Sequence, residues 1–317
     1  MTRVAAVDCG TNSIRLLISE IQEDGKIRDI SRTMEIVRLG QGVDATGELA
    51  PDALERTRVA LEGYVKQMKF EKVQRVRMVA TSATRDAKNH REFFDMTSEL
   101  LGQVQQGARA EVISGEEEAL LSFTGAVADL SSEKGPYCVI DLGGGSTEFV
   151  VGTIDGDILG SHSAQMGCVR LTERIMRSDP PTEAEIEIAT DYVAERMADV
   201  EKIVPIDKAV TFVGCAGTFT TLSALAQGME RYDADSIHGS ELRFDALRVL
   251  TRQLIGMSSD ERALNPVIHP GRADVIGGGS VAVEGIMSMI ERNSDARSFF
   301  ISEKDILDGI IAGLAAG

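Results

Sequence analysis

Asp141 closes an apolar run, Gly143-Gly144-Gly145-Ser146-Thr147 follows, and Glu148 opens the next apolar run. Each part of that stretch has a chemical use. Glycines let the backbone come close to a ligand and offer successive N–H groups to an anion, as phosphate-binding nests do. The flanking carboxylates are hard oxygen ligands of the kind Mg²⁺ takes together with water and phosphate oxygens. Nearly the same stretch occurs earlier, as Asp8, then Gly10-Thr11-Asn12-Ser13, then Arg15. Residues 7–18 align on 140–151 without a gap, at a separation of 133. Arg15 occupies the place of Glu148, so one copy brings a permanent cation whose fork suits phosphate oxygens. The other brings a second acid. The expectation is that both turns bind phosphate, and that Asp8, Asp141 and Glu148 together hold Mg²⁺ or another divalent cation such as Mn²⁺.

Each copy reads as strand, tight turn, strand. A second match supports duplication: residues 78–84 (Met-Val-Ala-Thr-Ser-Ala-Thr) resemble 212–218 (Phe-Val-Gly-Cys-Ala-Gly-Thr) at a separation of 134. Strands are expected near 4–9, 14–21, 27–38, 75–80 and 110–113, and again near 137–142, 147–154, 158–166, 209–213 and 298–301. Helical periodicity covers 51–69, 89–103, 114–130, 182–203, 245–257 and 277–292. Pro51 suits a first helical position, and Thr182 with Glu185 has the spacing of a capping box. Hairpins followed by helix-linked strands indicate two α/β domains, 1–125 and 126–301, with a cleft between them. The polar stretch 131–136, or the helix before it, would be the linker. The amphipathic segment 302–317 would pack back onto the first domain.

A chain of 317 residues suits two such domains. The net charge of −17 argues against a broad DNA-, RNA- or membrane-binding face. A polyanion would have to be held locally, by arginines, backbone N–H groups or a cation. No apolar run reaches the roughly 18–20 residues of a membrane span, and the N-terminus has no secretory pattern. Cys9, Cys138, Cys168 and Cys215 are widely spaced without a CxxC, which points to buried reduced thiols and a cytoplasmic location.

The motifs DCGTNSIRLL, VATSATRDA, ISGEEEA, VIDLGGGSTE, MGCVRLTE, FVGCAGTFTTLSAL and RADVIGGG appear in the order seen in the Ppx/GppA family. The chain resembles that family over essentially its whole length. The resemblance implies two duplicated actin-like (ribonuclease H-like) ATPase domains with an interdomain cleft. It also implies Mg²⁺-dependent hydrolysis of terminal phosphoanhydride bonds. By resemblance, Glu118 of ISGEEEA matches the catalytic base, and Asp141 and Glu148 match metal-binding acids. Arg85 matches an arginine on substrate phosphates, and residues 12–15 and 143–147 match the phosphate loops. The residues themselves agree on one point. Ser114 looks like an N-cap served by Glu117, which leaves Glu118 to project elsewhere.

Arg170 could meet substrate or form a salt bridge, and His238 could line the cleft or be structural. The glycines at 214–218 and 277–279 suit either nucleotide binding or close packing. Inorganic polyphosphate is the expected substrate. Longer family members append a helical HD-like region that this 317-residue sequence lacks, which favours short chains. Guanosine pentaphosphate (pppGpp) is the alternative substrate; a kinase, or a non-catalytic nucleotide-binding module, lies further off. A homodimer is expected, since most soluble oligomers are symmetric pairs.

Overall fold

The computed structural model describes residues 1–131 and 133–317. In chain order, the elements begin with β1 (Thr2–Cys9), β2 (Ser13–Ile21), β3 (Ile27–Ile36), α1 (Val43–Thr46) and α2 (Pro51–Phe70). There follow β4 (Arg75–Ala80), α3 (Ser82–Asp86), α4 (His90–Leu101), β5 (Ala110–Val112) and α5 (Gly115–Val127). Next come β6 (Tyr137–Leu142), β7 (Thr147–Gly152), β8 (Ile158–Ala164), α6 (Cys168–Arg174) and α7 (Glu183–Ile203). Then β9 (Thr211–Cys215), α8 (Ala216–Ala226), α9 (Ala234–Ile237), β10 (Glu241–Arg243) and α10 (Phe244–Gly256). The chain ends with α11 (Ser259–Ala263), α12 (Ile276–Asn293), β11 (Ser298–Ile301) and α13 (Ile306–Ala316).

These elements gather into two compact units, Met1–Gly125 with Ile306–Gly317, and Ala126–Asp305. The sheet of the first runs β3-β2-β1-β4-β5, and that of the second β10-β11-β9-β6-β7-β8. In each, a hairpin strand pairs antiparallel with its neighbour and parallel with the strand after a helical crossover. Sheet order and strand direction therefore repeat, as the duplicated motifs do. The second motif pair is less regular. The ladder pairs Asp8 with Val79 but Asp141 with Cys215. The expected spacing thus holds where strand turns into helix but slips by two residues along the ladder, and a two-residue slip leaves every side chain on its own face.

Both faces of the first sheet are covered, and period-2 alternation divides β1 between them. Ala5, Val7 and Cys9 join one core with Leu61, Tyr64 and Phe93; Val4 and Ala6 join the other with Ile306, Leu307, Ile310 and Ile311. Those four side chains of α13 contribute about 1.5–3 kcal/mol each by burial, as an upper estimate. Contact there is close: a Cβ added at Gly309 would lie 2.0 Å from the Leu121 carbonyl oxygen on α5. The single large core of the second unit centres on β6, β7, β9, α7, α8 and α12, including Phe149, Phe212, Phe219 and Ile286. Local signals act as read from sequence. Pro51 starts α2, and Thr182 and Glu185 form a reciprocal capping box on α7. The three-residue β10 and the short α6 carry too little periodicity to be read in advance.

Candidate functional site

In the second unit, hairpin pairing sets Asp141 directly opposite Glu148. Residues opposed in an antiparallel pair share a face with Cβ atoms about 4.5–5.5 Å apart, where like charges repel. Both are buried, at 8% and 2% exposure, and Ser163 Oγ donates to Glu148 Oε1 at 2.7 Å. Two buried acids held on one face are the donor set that a hard divalent cation requires, with its other positions left to water and phosphate oxygens. Between them the loop is closed by Gly143 N–H donating to the Ser146 carbonyl at 3.0 Å. Gly145, Ser146 and Thr147 are buried. Thr147 Oγ1 donates to the Met166 carbonyl at 2.7 Å, so this hydroxyl anchors the loop.

In the first unit the same register sets Asp8 opposite Arg15. Arg15 donates to Asp8 Oδ2 from Nε at 3.0 Å and from Nη2 at 2.7 Å. The turn closes as in the other copy, Gly10 N–H to the Ser13 carbonyl at 3.0 Å. Thr11 and Asn12 are buried, and neither Nδ2 nor Oδ1 of Asn12 has a hydrogen-bond partner among the described residues. The segment Val37–Gly40 is stitched to this turn through the Thr11 and Asn12 carbonyls, and Gly40 allows the approach, since a Cβ there would lie 2.3 Å from Thr11 Cγ2.

Glu118 and Arg85 meet in the same unit. The Ser114 hydroxyl accepts from Glu117 N–H at 3.2 Å, while the Glu117 carboxylate turns to Arg77 at 2.6 Å. Glu118, one residue on, is 8% exposed and accepts from Arg85 Nη1 at 3.0 Å. The same Nη1 donates to the Ile113 carbonyl at 2.9 Å. Arg85 Nη2 and Thr84 Oγ1 are buried without a partner among the described residues. Buried polar atoms are rarely left without a partner in folded proteins.

Among the described residues no group of three His, Cys, Asp or Glu side chains gathers as a metal site. In the first unit Asp8 pairs with Arg15, and in the second Asp141 and Glu148 face each other across the hairpin. His238 is a structural anchor: Nδ1 accepts from Glu303 N–H at 3.3 Å and Nε2 lies 3.5 Å from Asp129 Oδ2. The glycines of α12 serve close packing, since added Cβ atoms would lie 2.5 Å from the Arg262 guanidinium at Gly277 and 2.6 Å from Thr218 Oγ1 at Gly279. All four cysteines are buried and, among the described residues, none forms a disulfide, and burial pushes the Cys9, Cys138 and Cys168 thiols up. Arg170, weighed in the sequence between substrate and salt bridge, donates from Nε to the Gly145 carbonyl at 2.7 Å. No helix is long and apolar enough to cross a membrane among the described residues.

The chain is 51% identical over 99% of its length, and 99% of the relative's, to a Mycobacterium tuberculosis protein named Exopolyphosphatase 2. A crystal structure of an exopolyphosphatase-like protein superposes with a TM-score of 0.92 at 38% identity, covering 99% of both chains. More distant is a guanosine-5'-triphosphate,3'-diphosphate pyrophosphatase of Pseudoalteromonas atlantica, 31% identical over 98% of this chain and 58% of that protein. The profile of the Ppx/GppA phosphatase family matches residues 17–312, and the chain belongs to that family.

Proposed function

We propose that this protein is an exopolyphosphatase that hydrolyses terminal phosphoanhydride bonds of inorganic polyphosphate and releases orthophosphate. The observation that carries the reading is the buried Asp141–Glu148 pair flanking a loop whose buried Gly145 and Ser146 amides have no acceptor among the described residues. Asp141 and Glu148 would hold the divalent cation, Mg²⁺ or Mn²⁺, which supplies charge neutralisation on phosphate oxygens. The amides of Gly144, Gly145 and Ser146 bind the phosphoryl oxygens, and the Asn12 carboxamide supplies further donor and acceptor groups from the first turn. Arg85, held by the Ile113 carbonyl, presents Nη2 to a non-bridging oxygen and fixes Glu118. Glu118 orients the attacking water and takes its proton. Phosphoryl transfer asks mainly for such positioning and charge stabilisation.

Short chains are the favoured substrate, because a chain of net charge −17 offers no long basic track for a long polyanion. Four buried cysteines that form no disulfide among the described residues favour a reducing, cytoplasmic location, and a homodimer is the expected assembly. Hydrolysis of pppGpp is the second reading, favoured by the likeness to the pyrophosphatase of Pseudoalteromonas atlantica. Phosphate release from short polyphosphate, long polyphosphate, pppGpp, and ATP with glucose, with and without Mg²⁺, separates these. Wild type should act on short polyphosphate, and Glu118→Gln should lose about two to four orders of magnitude in kcat. Release from pppGpp alone would replace the polyphosphate assignment. Full turnover by Glu118→Gln would remove the base.

A further inference from the structure

Four hydrogen bonds hold the second glycine loop from one side. Cys168 N–H donates to the Gly143 carbonyl at 3.1 Å, and Val169 and Arg170 N–H donate to the Gly144 carbonyl at 2.9 and 3.0 Å. Arg170 Nε donates to the Gly145 carbonyl at 2.7 Å. Three successive carbonyls therefore point toward α6. In a planar trans peptide the N–H points opposite to the carbonyl. The N–H groups of Gly144, Gly145 and Ser146 are thus turned away from α6 together, and among the described residues none of them donates a hydrogen bond. Gly145 and Ser146 are buried, and buried amides without an acceptor are rare unless a ligand or water takes them. Gly167 lets the clamp close: a Cβ there would lie 2.4 Å from the Gly144 carbonyl carbon and oxygen.

The first unit repeats the device with different parts. Gly40 N–H donates to the Thr11 carbonyl at 2.9 Å, and Val37 and Arg38 N–H donate to the Asn12 carbonyl at 3.1 and 2.9 Å. In both units the clamp is the segment following the third strand, β3 or β8. There the third loop carbonyl, that of Asn12, is held wholly by backbone. In the second unit its counterpart, Gly145, is held by a side chain.

We infer that Arg170 is a positioning residue: by holding the Gly145 carbonyl it aims the Ser146 N–H at a phosphoryl oxygen of the substrate. The inference rests on the proposed role of this loop as the phosphoryl site. The guanidinium bonds the loop itself, with a further contact from Nη2 to Gln165 Oε1 at 3.3 Å. A donor aimed at charge developing in the transition state affects kcat more than ground-state binding.

The test compares wild type, Arg170→Met and Arg170→Lys on a short polyphosphate with Mg²⁺, together with inorganic phosphate binding by calorimetry and thermal melts. Arg170→Met keeps the packed stem and should lower kcat by about 10–100-fold with KM within about three-fold. Arg170→Lys, which retains one donor, should recover part of kcat. Wild-type kcat in Arg170→Met overturns the inference. So does an equal loss in both variants accompanied by a lowered melting temperature, which marks a merely structural role. If wild type fails on polyphosphate but binds phosphate, and Arg170→Met weakens that binding, the hydrolase reading falls and the positioning role stands. If the two proteins bind phosphate equally, the positioning role falls as well.

Discussion

Replacing Asn12 by alanine should make the protein harder to melt and worse at its chemistry. Asn12 is 7% exposed, and its Nδ2 and Oδ1 are both without a partner. An unsatisfied buried polar group costs about 1–3 kcal/mol, so removing two relieves about 2–6 kcal/mol. The carboxamide leaves a space near the size of a methyl group or somewhat larger, which costs about 1–2 kcal/mol. The balance is a gain of about 0–5 kcal/mol, worth roughly 3–4 °C in Tm per kcal/mol for a unit of this size. Most buried substitutions go the other way, by about 0.5–3 kcal/mol. The assay is a pair of melts, in plain buffer and with inorganic phosphate or short polyphosphate. A ligand at a hundred times its Kd adds about 2.7 kcal/mol to the native state. Wild type should show that gain and Asn12→Ala much less of it, with kcat/KM down by at least about ten-fold. A variant that melts below wild type, or that keeps the full ligand shift, refutes the account of these orphaned atoms.

Asp141→Asn removes one of two opposed acids, so its melting temperature should respond to Mg²⁺ only at about ten-fold higher concentration or more, which a titrated melt reads directly. Gly309→Ala has no room, with its Cβ 2.0 Å from the Leu121 carbonyl oxygen; it should cost about 3 kcal/mol, and an unchanged denaturation midpoint would contradict the packing. Glu185 is held down to about 2, chiefly by the backbone N–H of Thr182. A depressed folded value stabilises above the unfolded one and is lost as pH falls. Glu185→Gln should therefore melt below wild type at pH 7 and converge with it as pH approaches about 2.

Hairpins were legible because their hydrogen bonds are local. Once Gly10–Ser13 and Gly143–Ser146 are read as turns, pairing fixes Asp8 on Arg15 and Asp141 on Glu148 without any knowledge of the rest. The actin-like α/β fold was legible through repeated motifs and helical periodicity, and family membership through their order. Glu118 separated from Glu117 for a similarly local reason, the cap at Ser114. What stayed hidden depends on distant partners. The orphaned carboxamide of Asn12 is set by the arrival of the 37–40 segment, and the role of Arg170 by a carbonyl 25 residues earlier. The Asp8–Arg15 pairing follows from register, which sets residue 8 opposite residue 15. The glycines of α12 read equally well as ligand-facing or close-packed until Arg262 and Thr218 were seen against them.

The return of α13 to the first sheet has a consequence for biogenesis. Val4, Ala6, Leu17 and Val79 wait for Ile306, Leu307, Ile310 and Ile311 to cover them, and residues 126–305 are made in between. At about 5–20 residues per second, that face stays bare on the ribosome for on the order of ten seconds or more. The unit begun first is thus the last to be sealed, and the nascent chain must be shielded or kept from its neighbours until its final turn of helix emerges.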